Sequence, residues 1–188
     1  SAAVVEGNSA AANADSLVYE VMAAPYTACS TFISQNYGAH NKERIQKAYR
    51  VSLVYSFGVG AVLGLALMFF GGGFLRIFTP DPEVIAAGME KLHIMGWSYA
   101  FSAFMDNSLA ASRGLGKSAV PVAIVILGSC VFRVIWVYTI FAMFHTLTSL
   151  YLLYIFSWAP TAIGQMVYFF RAFRKQTAAW KTPQAAGA

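Results

Sequence analysis

Residues 51–75 read VSLVYSFGVGAVLGLALMFFGGGFL, and no charged side chain lies between Arg50 and Arg76. A helix needs about 20 apolar residues to cross the hydrocarbon core of a bilayer, so this run is long enough for one transmembrane span. A second run of 37 residues, between Arg133 and Arg171, contains no Asp, Glu, Lys or Arg. It is long enough for the end of one span, a turn and a further span.

The composition of the whole chain also indicates a membrane protein. Of its 188 residues, 58% are hydrophobic and 11% are charged, and the mean hydropathy is +0.56. A soluble domain carries about 25% charged residues, so this chain has too little charge to cover a water-exposed surface. We therefore expect an all-α, polytopic transmembrane helix bundle whose main surroundings are the lipid bilayer.

Hydropathy and turn signals divide the chain into five predicted spans. They cover about 9–37, 48–73, 85–112, 118–143 and 149–170. Together they form a transmembrane unit over residues 1–175, and residues 176–188 are predicted to be a disordered cytoplasmic tail. Thr79 or Asp81 is the expected N-cap of the third helix, and Pro82 suits its first turn. The first helix contains Asp15 and Glu20, so we expect it to face a bundle interior or a water-filled cavity.

The basic residues predict the orientation of these spans. With five spans, the segments after helices one, three and five lie on the same side of the membrane. They hold ten of the 13 Lys and Arg residues: Lys42, Arg44, Lys47, Arg50, Arg113, Lys117, Arg171, Arg174, Lys175 and Lys181. The positive-inside rule then places the N-terminus outside and the C-terminus in the cytoplasm. The net charge of +5 is explained by this topology, and no nucleic-acid partner is expected.

Three short elements, SQNYGAHNKERIQKA, FLRIFTPDPEVIAAGMEKLHIMG and AASRGLGKSAVP, follow one another in this order with helices between them. Together they resemble the multidrug and toxic compound extrusion (MATE) family of transporters. SQNYGAHNKERIQKA contains the Gln-Asn-x-Gly-Ala element and the basic residue of the family's loop after the second helix of each half, here Gln35, Asn36 and Gly38. FLRIFTPDPEVIAAGMEKLHIMG resembles the family's Phe-Thr-x-Asp-Pro-Glu-Val segment. AASRGLGKSAVP resembles its Arg-Gly-x-Gly loop, here Arg113, Gly114 and Gly116.

The resemblance implies a family fold of twelve helices in two six-helix bundles with a cleft between them. The five helices would correspond to helices eight to twelve, so helix seven and the N-terminal bundle would be the missing partner within the same transporter. The implied function is a secondary antiporter of the bacterial plasma membrane, which exports organic cations and drugs by alternating access. H⁺ or Na⁺ would be the coupling ion, and no other cofactor is expected. A lipid-linked saccharide flippase of the same superfamily, and a non-transporting remnant or interaction module, remain alternatives.

Three charged residues within predicted spans are candidates for ion coupling: Glu20, Asp106 and Arg133. Burying a charge in a span is costly, so each must have a partner, water or a function. Glu20 either binds a proton or cation, facing the cleft or the bundle interior, or lies hydrated near the outer interface. Asp106 either serves coupling or forms a structural hydrogen bond, with Asn107 or Ser102 as its partner. Arg133 needs a carboxylate or water, and Asp106 and Glu20 are the available carboxylates for a switchable or a static ion pair.

The remaining motifs favour structure over chemistry. Gln35 and Asn36 can bond freed carbonyls and Gly38 tolerates a left-handed conformation, which together indicate a helix C-cap. The aromatic residues either line a drug cleft or serve packing and an interfacial belt: Tyr19, Tyr26, Trp97, Tyr99, Trp136, Tyr138 and Trp158. No nucleophile triad, phosphate loop or metal-ligand spacing is present, so neither an enzyme nor a metal site is predicted.

Overall fold

A computed structural model describes residues 2–180, and every regular element in that range is helical. The six helices are α1 (Ala2–Gly38), α2 (Lys42–Leu75), α3 (Pro82–Met95), α4 (Ser98–Gly114), α5 (Ala119–Phe144) and α6 (Leu147–Thr177). Helix α5 contains two π-helical stretches, Ile126–Val131 and Val137–Phe141. The prediction of an all-helical membrane bundle is confirmed.

Within residues 2–180, three helices are long and apolar enough to cross a membrane. They are α2, α5 and the Ser149–Thr177 part of α6. Helix α1 is long but rich in small and polar residues, while α3 and α4 have only 14 and 17 residues each. The predicted five-span topology therefore stays a prediction for α1 and for the α3–α4 segment, which pack in the same bundle.

The predicted third helix is broken in two at Gly96 and Trp97. Both residues keep right-handed helical angles, so the break is a local kink between α3 and α4. Gly64 of α2 approaches this point so closely that a Cβ atom on it would collide with the carbonyl oxygen of Gly96. The prediction of one continuous helix over 85–112 was therefore wrong at Gly96 and Trp97. The local sequence does not reveal the contact at this point, because the contact comes from another helix.

The first helix begins earlier than predicted, at Ala2. Gly7 allows this extra turn to pack against α3, since a Cβ atom there would lie 2.5 Å from the carbonyl oxygen of Val84. Buried Ala10, Ala11 and Ala14 continue the contact. Small residues let helix backbones approach closely, which is how helices associate in lipid.

The last helix ends later than predicted, at Thr177 rather than near residue 170. Its final turns are held by Phe173 and Thr177, which are both buried. Beyond the helix, the ring of Trp180 packs against Tyr37 and stacks on His40, with ring centroids 5.3 and 4.8 Å apart. The predicted tail therefore begins too early at residue 176, and residues 181–188 lie outside the described range.

Helix α4 is the central element of the bundle. Helices α1, α2 and α6 pack around it, α3 packs on α1 and α2, and α5 packs mainly on α6. Most buried residues of α4 are small: Ser98, Ala100, Ser102, Ala103, Ser108, Ala110, Ala111, Ser112 and Gly114. This composition gives close packing on several sides at once and places the polar groups of α1 and α4 beside each other.

Candidate functional site

An ion pair within the bundle joins α1 to α3. The Lys91 ammonium lies 2.7 Å from a carboxylate oxygen of Asp15, and the two side chains are only 12% and 18% exposed. The hydroxyl of Tyr99, a fully buried residue of α4, donates a hydrogen bond to the other oxygen of Asp15. Three helices therefore meet at one carboxylate, just beside the break between α3 and α4.

A series of aromatic contacts leads from this carboxylate to Arg133 on α5. The ring of Tyr99 meets Tyr19 edge-on, with centroids 5.8 Å apart, and Tyr19 meets Trp158 in the same way at 6.3 Å. Trp158 in turn contacts the ring of Tyr154 at 6.0 Å. The Arg133 guanidinium lies 4.4 Å from the centroid of the Tyr154 ring.

The partners of Arg133 differ from the expected carboxylates. Besides the face of Tyr154, its Nε donates a hydrogen bond to the Ser157 hydroxyl at 3.2 Å. Within residues 2–180 neither Asp106 nor Glu20 forms an ion pair with it. In this structure the face of the Tyr154 ring, on the neighbouring helix, stabilises the cation by its π electrons instead. Its role in ion coupling stays a prediction.

Asp106 lies half-buried on α4, beside α1. The expected structural hydrogen bonds are absent among the described residues. The Asn107 amide donates to the carbonyl of Ala103, and the Ser102 hydroxyl donates to that of Tyr99. Asp106 does lie close enough to Tyr19 and Tyr26 of α1 for its charge to act on both hydroxyls.

A second polar cluster ties α2 to α1 and α4 next to Asp106. The Ser52 hydroxyl lies 2.8 Å from the Pro25 carbonyl oxygen and 2.5 Å from the amide oxygen of Asn107. One turn away, the hydroxyls of Tyr49 and Ser108 are 2.9 Å apart. These contacts occupy the polar neighbours of Asp106 and leave its own carboxylate available.

Glu20 is exposed on the outer face of α1, so it does not face the interior of this bundle. It belongs to what we call the polar stripe, a set of exposed residues of α1: Glu6, Ser9, Asn13, Ser16, Glu20, Thr27, Thr31 and Ser34. At about 100° per residue, these eight positions fall within about 80° of the helix circumference. The stripe extends over 28 residues, or about 42 Å.

Four of the five hydroxyls of the polar stripe donate to carbonyls within α1, but its carboxylates have no such partner. Ser9, Ser16 and Ser34 each donate to a carbonyl one turn earlier in the helix. Glu20 has no hydrogen bond or ion pair with any other described residue, and it lies midway between Glu6 and Ser34. If α1 crosses the membrane as predicted, a carboxylate halfway along it is costly to expose to hydrocarbon, so this face of α1 is then expected to meet water or another polar surface.

The motif at the end of α1 forms a C-cap, with one difference from the prediction. The amide nitrogen of Asn36 donates to the Phe32 carbonyl at 2.8 Å, and the carbonyl of Gln35 accepts from the Ala39 N–H at 3.1 Å. Gly38 ends the helix without a positive φ, whereas His40 has φ of 52°. The left-handed residue lies two positions later than predicted.

The Arg113–Gly116 motif has separate structural roles for its members. Gly114 is buried, and a Cβ atom there would lie 2.7 Å from the Ser30 carbonyl oxygen of α1. Gly116 has φ of 74°, the left-handed conformation that terminates α4, and Lys117 N–H donates to the carbonyl of Ser112 at 3.0 Å. Arg113 is exposed. The motif therefore ends one helix and packs it on another.

Asp15, Lys91 and Tyr99 were not predicted as site residues. Asp15 was noted only as a charged residue of the first predicted helix, and Lys91 was not singled out. The available signal was that Lys91 is the one Lys or Arg residue of α3, and that α1 carries acids but neither Lys nor Arg, in a bundle where unpaired buried charges are costly. Of the predicted aromatic residues, Tyr99 and Trp158 are buried, while Trp97 and Tyr138 are exposed.

Two comparisons with known proteins indicate the same protein family. The sequence model of the MatE family matches residues 1–139, a range that includes every charged residue of the site. The probable multidrug resistance protein NorM of Thermotoga maritima is 27% identical over 112 residues. That match covers 60% of this chain and 24% of the relative, so it spans about a quarter of that protein's length.

Proposed function

The chain belongs to the MatE family, and from this we propose that it is one part of a membrane antiporter that exports small organic cations in exchange for H⁺ or Na⁺. The coupling ion would be the only cofactor, and the second helix bundle of the same transporter would be the partner. The similar protein in Thermotoga maritima is named as a probable multidrug resistance protein, which supports a cargo of this class.

The observation that carries the proposal is the exposed Glu20 halfway along the polar stripe. A stripe of about 42 Å is as long as a whole bilayer with its headgroups. One face of α1 would therefore line a polar path from one side of the membrane to the other. A carboxylate in such a path attracts a cationic substrate or a coupling cation and repels anions.

Asp106 is the second coupling group that we propose. Asp106 and Glu20 both lie close enough to Tyr26 of α1 for their charges to act on its hydroxyl. Because no described residue pairs with Asp106, its carboxylate is free to bind a proton or a metal cation. A cation bound there would disfavour an organic cation at Glu20 by charge repulsion, which is the requirement for exchange.

Arg133 is the third group, with a different task. It is fixed to α6 through Tyr154 and Ser157, and the aromatic contacts continue from there to Tyr99 and the ion pair of Asp15. A rotation of α1 that follows ion exchange would be passed to α5 through this packed series. Rocking of whole bundles about a site at mid-membrane is the general mechanism of such transporters.

The test is efflux of a fluorescent organic cation by the full-length transporter in proteoliposomes with an imposed H⁺ or Na⁺ gradient. Asp106→Asn and Glu20→Gln should each reduce gradient-driven efflux by at least about tenfold, whereas Glu83→Gln, in the exposed first turn of α3, should leave it unchanged. Unchanged efflux in Asp106→Asn would show that Asp106 has no role in ion coupling. If efflux by the unaltered protein depends on neither the H⁺ nor the Na⁺ gradient, the protein is not an antiporter for these ions.

A further inference from the structure

A groove between α1 and α2 has no part in the transport path described above. It has a volume of about 390 Å³ and is lined by residues of these two helices alone. One end carries polar and basic residues, and the other end is apolar. This division along the groove indicates the chemistry of its occupant.

The polar end of the groove is positively charged. Arg44 and Lys47, from the first turns of α2, line it together with Asn36 of α1. Both cations are exposed, and neither has a carboxylate within ion-pair distance among residues 2–180. Two adjacent cations without an anion complement a phosphate group.

The other end of the groove is apolar apart from the hydroxyl of the exposed Tyr55. Pro25, Ala28, Phe32, Val51 and Tyr55 are among the residues that line it. The other two polar side chains in its wall, Ser52 and Cys29, already have partners. The Ser52 hydroxyl lies against the Pro25 and Asn107 oxygens, and the Cys29 thiol lies 3.9 Å from the Ala48 carbonyl oxygen. This end therefore suits a hydrocarbon chain.

The length of the groove matches one leaflet of a bilayer. Asn36 and Pro25 are eleven residues apart on α1, which is about 16 Å along the helix. Half of the hydrocarbon core is about 15 Å thick. The outer face of α2 beyond the groove is also apolar and exposed, at Val54 and Val62, as expected for a surface in contact with lipid. The groove would thus extend from the headgroup level to the bilayer centre.

We propose that this groove binds one anionic phospholipid of the leaflet that contains Arg44. The phosphate lies between the Arg44 guanidinium and the Lys47 ammonium, and one acyl chain lies along Phe32, Ala28 and Pro25. Basic pockets between transmembrane helices on the cytoplasmic side bind anionic headgroups in this way. The site needs only insertion in a membrane, so it does not depend on the proposed transport cycle.

The test is native mass spectrometry of the purified chain in detergent, titrated with phosphatidylglycerol or with phosphatidylcholine of the same acyl chains. Each basic side chain contributes about fivefold to the affinity for an anionic lipid. The double variant Arg44→Gln/Lys47→Gln should therefore bind phosphatidylglycerol about 25-fold more weakly. The matched control is Arg113→Gln/Lys117→Gln, which removes two exposed charges on the same predicted side without touching the groove, and it should bind as the unaltered chain does.

A third variant tests the acyl-chain end. Ala28→Trp fills the groove from its open side and should weaken phosphatidylglycerol binding while all charges remain. Equal affinity for the two lipids in the unaltered chain would overturn the proposal, as would equal losses in both charge variants. Unchanged binding by Ala28→Trp would overturn the assignment of the apolar end. If another helix of the transporter fills the groove, the full-length protein will show no loss on Arg44→Gln/Lys47→Gln, and that result also overturns it.

Discussion

Breaking the ion pair between Asp15 and Lys91 should be among the most damaging single changes in this chain. Asp15→Asn keeps an oxygen for the Tyr99 hydroxyl but leaves the Lys91 ammonium, only 12% exposed, without its counterion. Removing one partner of a buried pair costs about 3–5 kcal/mol. Because the bond from Tyr99 survives, we expect a loss of about 3 kcal/mol in the free energy of unfolding. Lys91→Met should cost about as much, since the carboxylate then loses its cation.

The double variant Asp15→Asn/Lys91→Met distinguishes an ion pair from two independent effects. With both charges gone, no buried charge is left unpaired, so its stability should return to within about 1 kcal/mol of the unaltered chain. The assay is loss of helical circular dichroism during titration with sodium dodecyl sulfate in mixed micelles. Glu20→Gln, an exposed change on the same helix, is the control and should stay within about 0.5 kcal/mol. Costs that add in the double variant would refute the ion pair.

Three further predictions concern packing and backbone geometry, each measured in the same unfolding assay. Gly64→Ala should lower the free energy of unfolding by about 3 kcal/mol, because its Cβ atom would collide with backbone at the break between α3 and α4. Its control is Gly58→Ala, which has open space around it and should be neutral or stabilising by up to about 1 kcal/mol. Gly116→Ala should lower the free energy of unfolding by about 1–2 kcal/mol, because alanine disfavours the left-handed backbone at this position. Gly116→Asn should lower it by less, and equal losses for the two variants would indicate a side-chain clash instead. Arg133→Met and Tyr154→Leu should show a coupling energy of about 1 kcal/mol in a double-mutant cycle, and strict additivity would argue against the cation–π contact.

Local sequence predicted those parts of the fold that local physics decides. The charge-free run of residues 51–75 lies within α2, as predicted. This could be read from the sequence because the length of an apolar run determines whether a helix can span a bilayer. Asp81 accepts from the Glu83 N–H at 2.9 Å as the N-cap of α3, since capping depends only on neighbouring residues. Gly116 has the left-handed angle that suits the end of α4, as expected of a glycine after a helix.

Contacts between helices were not predictable in the same way. The break at Gly96 depends on the approach of Gly64 from α2, and no local pattern encodes that approach. Asp15 and Lys91 lie far apart in the chain, so their pairing becomes visible only when α1 and α3 pack. Arg133 was expected to need a carboxylate or water, and its contact with the Tyr154 ring depends on how α5 packs on α6.

Cysteine labelling can decide whether the polar stripe of α1 lines a water-filled path. In the proposed full-length transporter, with every native cysteine including Cys29 and Cys130 replaced by Ala, Ser16→Cys and Thr27→Cys are introduced one at a time. Val62→Cys is the control, because that position is 66% exposed on the apolar face of α2. A charged, membrane-impermeant thiol reagent applied to vesicles should label both stripe positions and leave residue 62 unlabelled. If both stripe positions are as unreactive as residue 62, the polar stripe does not line a water-filled path.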